Sequence, residues 1–138
     1  VRKSTFVQIE CTLSEYPDYE RLLRERKNEI LYPYNEFQDE NIGGSRSPKI
    51  SNTTESKALS LVKDKQLNRI KFQKQAIEKC LDHSGRGVKE IIKMYYFTKP
   101  RVKTWEGIAQ DVNFSRRQCI NLRNNFFSRL ADELGFIK

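Results

Sequence analysis

Residues 105–124 read WEGIAQDVNFSRRQCINLRN, and the fold turns on this stretch. Ile108 and Val112 are four apart, which places them on one side of a helix, and Ala109 beside them is small enough to let a second helix approach. Asn113 follows. Asparagine is second only to glycine in accepting the left-handed backbone of a tight turn. Phe114 then plugs the junction, and Ser115 can cap a second helix by accepting one of its free amide protons. Cys119, Leu122, Phe126 and Leu130 continue an inner face at spacings of three, four and four. Thr104 stands where it would cap the first helix in the same way. Small residue, turn residue, cap and apolar positions together spell a helix-turn-helix.

At about 100° per residue, Arg117, Asn121, Asn124 and Ser128 fall opposite the apolar stripe, flanked by Gln118, Ile120 and Asn125. Arginine suits the O6 and N7 acceptors of guanine, and asparagine and glutamine suit the N6 and N7 edge of adenine. Arg117, Gln118, Asn121 and Asn124 are therefore expected to read bases in the major groove of duplex DNA. Around them Lys99, Arg101, Lys103, Arg116 and Arg123, with the hydroxyls of Thr104 and Ser115, are expected to hold phosphates.

The charge distribution agrees. From Arg86 to the end the chain has eleven basic and five acidic residues, whereas the first 85 residues have fifteen and thirteen. A polyanion contact belongs at the basic end.

Upstream, Phe6, Ile9, Leu13, Tyr16, Leu22, Leu23, Ile30 and Leu31 recur at helical spacing. Pro17 interrupts that pattern, which reads as a helix ending near Glu15 and another starting near the proline and ending before Pro33, with a single kinked helix as the alternative. Residues 33–52, with Asn41-Ile42-Gly43-Gly44, read as a loop. Thr54 to Asp82 reads as one long helix with Leu59, Val62, Ile70, Ile77 and Leu81 on its seam. His83 to Gly87 break it, and a short helix carries Val88, Ile91, Ile92 and Tyr95. Nothing alternates with the period of a strand, so an all-α fold is expected. A helical dimerisation or partner region would span residues 1–83 and the DNA-binding domain residues 84–138.

No catalytic, cofactor or metal site is expected. His83 is the only histidine and sits in a turn, and Asp111, Asp132 and Glu133 are scattered. Cys11, Cys80 and Cys119 form no CxxC pair, so buried reduced thiols are expected. No apolar run approaches the roughly 20 residues of a membrane span, and the first residues lack the apolar stretch of a signal peptide. A cytoplasmic protein is the expectation.

Tyr16-Pro17-Asp18-Tyr19, Ile30-Leu31-Tyr32-Pro33, the Asn41–Gly44 loop, Tyr95-Tyr96-Phe97 and the stretch from Ser128 to Gly135 resemble the RinA-like family of phage late-gene transcriptional activators. The likeness covers nearly the whole chain, and its C-terminal part is also similar to the promoter-reading region of bacterial sigma factors. The resemblance implies a phage- or prophage-encoded activator of packaging and structural genes, acting through host RNA polymerase in the bacterial cytoplasm. Homodimerisation through the N-terminal helices fits the same picture. The alternative is a DNA-packaging adaptor like a phage terminase small subunit, which would form large rings. A third reading is a helical protein whose basic face meets an acidic partner.

Overall fold

The computed structural model describes residues 1–33 and 54–138, and every regular element among them is helical. Beyond Pro33, the expected loop with its Asn41–Gly44 stretch lies outside the described residues. In chain order the elements are α1 (Lys3–Glu15), a 3-10 turn (Tyr16–Asp18), α2 (Tyr19–Leu31), α3 (Thr54–Lys63), α4 (Lys65–Asp82), α5 (Arg86–Ile92), a π-helical turn (Lys93–Phe97), α6 (Trp105–Val112) and α7 (Arg116–Leu134). Pro17 falls in the first turn of the 3-10 segment, where its missing amide proton costs nothing, and α2 stops before Pro33.

The single helix expected over residues 54–82 is broken at Asp64. The reason is local. Asp64 Oδ2 accepts the Leu67 amide at 2.9 Å and so caps α4, while its two oxygens take the Arg26 guanidinium at 2.7 and 3.1 Å. A side chain that satisfies the first amides of one helix competes with continuation of the helix before it. The apolar seam suffers accordingly, leaving Leu59 and Val62 53% and 70% exposed.

The Arg26 hydrogen bonds, followed by the Leu67 amide, lower the Asp64 carboxyl from its ordinary 3.8 to about 2. A carboxylate held below its unfolded value stabilises the fold above that value and loses the contribution as pH falls through the folded one. Asp64→Asn should therefore flatten the acid dependence of stability between about pH 4 and 2 relative to the parent chain. Acid titration followed by circular dichroism checks this, and identical profiles would refute it.

The chain divides into two compact units, one of residues 1–19 and 72–138 and the other of residues 20–71. In the first, α1 buries Thr5, Ile9, Thr12 and Leu13 and lies against the π-helical turn and α7. Phe6 meets Phe127 with ring centres 5.0 Å apart, and Tyr16 stacks on Phe97 at 4.7 Å. The Tyr16 hydroxyl donates to Glu78 at 2.8 Å, and the Thr5 hydroxyl donates to the Ile137 carbonyl. Ile91, Ile108, Ala109 and Cys119 form a buried cluster against which Trp105, Val112, Phe114 and Leu122 pack. Gly87 lets Phe114 close over that junction, because a β-carbon there would fall 2.6 Å from Phe114 Cε2 and the ring would have to shift.

Cys80 and Cys119 are buried, and burial raises both thiols. Cys11 corrects the expectation of buried thiols, since it is exposed. Among the described residues no helix is long and apolar enough to cross a membrane, and no group of three His, Cys, Asp or Glu could hold a metal ion.

Candidate nucleic-acid interface

The link between α6 and α7 is three residues long, Asn113 to Ser115. Asn113 adopts φ 62° and ψ 37°, the left-handed conformation read from its identity. Its amide returns to the Ala109 carbonyl, as does that of Phe114 at 3.1 Å, so one oxygen closes the end of α6. Thr104 Oγ1 accepts the Gly107 amide at 3.2 Å and Ser115 Oγ accepts the Gln118 amide at 3.0 Å. Both caps were legible in the sequence. Each hydroxyl keeps its proton free to donate elsewhere.

α7 turns its apolar side inward. Cys119, Phe126, Phe127 and Leu130 are fully buried and Leu122 is half-buried, whereas Arg117, Gln118, Asn121 and Asn124 are all exposed. Asn125 is exposed too, while Ile120 and Ser128 are half-buried. The first turn of α7 carries Arg116 and Arg117 and no acid. Two cations at the positive end of a helix dipole are unfavourable by themselves and become favourable when an anion arrives. From Arg116 to Ala131 there is no acidic residue at all.

The expected phosphate-binding cations have local partners. Lys99 Nζ lies 3.4 Å from Asp18, Lys103 pairs with Asp111, and Arg116 Nε lies 2.9 Å from Glu106. Arg101 lays its guanidinium over the Tyr95 ring at 3.8 Å and donates to the Tyr95 carbonyl at 3.2 Å. Tyr95 in turn stacks on Trp105 at 4.2 Å. All four cations remain exposed. Exposed pairs of this kind contribute only about 0–1 kcal/mol, so a phosphate can displace the carboxylate.

Arg123 stands apart from the other expected phosphate ligands. It is half-buried, and its guanidinium carbon lies 4.8 Å from the centre of the Phe6 ring, 5.1 Å from that of Trp105 and 5.3 Å from that of Phe127. Nη1 donates to the Tyr96 hydroxyl at 3.0 Å, which donates to Glu10 at 2.9 Å. Nε donates to Asn124 Oδ1 at 2.8 Å. The sequence carried a signal for this placement. At about 100° per residue Arg123 falls only about 40° from Cys119, on the apolar side of the helix.

Over residues 8–132 the chain matches the family described as "Protein of unknown function (DUF722)". It is also 32% identical to "Transcriptional activator rinA" of Staphylococcus phage phi11 over 135 residues, which cover 98% of this chain and 94% of that protein. No solved structure matches it. With one family matched across most of its length and a relative of this identity aligned nearly end to end, the chain belongs to the RinA-like family.

Proposed function

We propose that α6 and α7 form a helix-turn-helix that binds duplex DNA, and that the protein is a non-enzymatic transcriptional activator. In this reading residues 84–138 read DNA and residues 1–83 supply dimerisation or polymerase contacts, with α1 doubling as a brace for the reading helix. The observation that carries it is the polarity of α7. One side is closed into the core, while the other presents Arg117, Gln118, Asn121 and Asn124 beside an arginine-rich first turn that lacks any acid. A helical hairpin whose only task was packing would have no need of such a face.

Arg117, Gln118, Asn121 and Asn124 contact base edges in the major groove, and Lys99, Arg101, Lys103, Arg116 and the hydroxyls of Thr104 and Ser115 contact phosphates. The relative's name adds the direction of control. By family analogy the targets are late genes of a phage or prophage, switched on through host RNA polymerase in the bacterial cytoplasm. The reader would then act as the promoter-reading part of a sigma factor does.

Selection of bound oligonucleotides from a random duplex pool tests the proposal. The parent chain should enrich a defined site. Arg117→Ala should relax one base pair and cost about 1–3 kcal/mol, whereas Arg101→Ala or Lys103→Ala should weaken binding to all sequences alike. A pool that emerges unenriched, or an Arg117→Ala chain with unchanged affinity and preference, would remove the assignment.

A further inference from the structure

We propose that Arg123 is a positioning residue for base reading, one that fixes the carboxamide of Asn124 and ties it to α1, rather than a phosphate ligand. This inference rests on the DNA-reading role of α7 and gives one of its contacts a chemical direction.

Arginine has only donors, so the atom of Asn124 that faces Arg123 Nε at 2.8 Å is the carbonyl oxygen. That choice settles the amide orientation. Oδ1 turns toward the guanidinium, and the two Nδ2 hydrogens are left for an outside acceptor. Acceptors available on a base edge in the major groove are N7 and O6 of guanine, N7 of adenine and O4 of thymine. Asn124 therefore presents a donor first.

Arg123 is itself held firmly enough to impose that orientation. Three aromatic rings, from α1, α6 and α7, lie within 5.3 Å of its guanidinium carbon. Nη1 enters a chain of hydrogen bonds through Tyr96 to Glu10, which places a carboxylate two bonds away to balance the charge. Burial raises the Tyr96 hydroxyl well above its ordinary value, so it stays protonated as the link between the two. With one hydrogen each of Nε and Nη1 engaged and the side chain half-buried among three rings, Arg123 is less free to turn toward a phosphate than the exposed cations around it.

The two roles part on a salt titration. If Arg123 positions Asn124, Arg123→Met should lose about tenfold of preference at one base pair and leave the slope of log affinity against log salt unchanged. Arg123→Lys should fare no better, because an ammonium cannot stand where Nε donates. If Arg123 instead held a phosphate, Arg123→Met would weaken all sequences alike and lower the slope by about 0.9, and Arg123→Lys would restore it. That second pattern, or Arg123→Met with unaltered preference, overturns the proposal. Should Arg123→Met not fold, Tyr96→Phe keeps the ring and removes one anchor. It should cost part of the same base preference at constant slope, and undiminished preference would count against the inference. A parent chain without any base preference would take away the DNA reading and this inference with it, a failure visible before any substitution is made.

Discussion

Phe127→Ala will cost about 3–5 kcal/mol of folding stability, among the largest losses expected from a single truncation in the unit that carries α7. Phe127 is fully buried, with its ring centre 5.0 Å from that of Phe6 on α1 and 5.6 Å from that of Tyr96 in the π-helical turn. It also lies 5.3 Å beneath the Arg123 guanidinium. Its removal opens a cavity under three elements at once, and none of them can collapse into it without disturbing the other two. The effect has a functional corollary. Loss of the ring loosens α1 from α7 and frees Arg123, so sequence preference should fall together with stability. Trp105 is the sole tryptophan and lies 5.1 Å from the same guanidinium, so its fluorescence reports the site directly during chemical denaturation. Phe72→Ala is the control. Phe72 is 51% exposed, and its truncation should change stability by less than about 1 kcal/mol. A Phe127→Ala chain no less stable than Phe72→Ala would show that α1 and α7 are not held together by this contact.

The same residues show which features a sequence can display and which it hides. The α6–α7 unit was legible because its requirements are local: Asn113 for the left-handed turn, Thr104 and Ser115 for the caps, Cys119, Phe126 and Leu130 for the inward stripe. Each needs only its own neighbours in the chain. Pro17 and Pro33 set helix limits for the same reason. Asp64 was missed because a continuous apolar spacing from Leu59 to Leu81 outweighed one carboxylate. The residue that gives that carboxylate its hold, Arg26, is 38 positions away. The packing of α1 on α7 was hidden more deeply, since periodicity says which face of a helix is buried and never against what. Arg123 is the instructive case. Its position on the helical circumference pointed inward, but its charge suggested phosphate, and only the rings of Phe6, Trp105 and Phe127 reveal how a buried-side arginine is accommodated.

Binding to DNA should weaken steeply with salt, and the steepness should count the subunits. Each phosphate neutralised releases condensed counterions, which gives about 0.9 units of slope per contact in a plot of log affinity against log salt. Lys99, Arg101, Lys103 and Arg116 supply four cations, so one copy of the chain should show a slope near −3.6, or about a 150-fold loss between about 50 and 200 mM salt. Two copies on a two-fold site double the contacts, and the loss over the same interval rises to about 20,000-fold. The local pairs with Asp18, Asp111 and Glu106 do not change this expectation. They reduce the absolute affinity by competing for the cations, but the counterions released come from the DNA and are set by the number of phosphates covered. Stoichiometry from analytical ultracentrifugation of the complex provides an independent subunit count. One copy should go with a single half-site in the selected oligonucleotides, and two copies with repeats about 10 base pairs apart. A slope shallower than about −2 would mean that no more than about two of these four residues face the backbone.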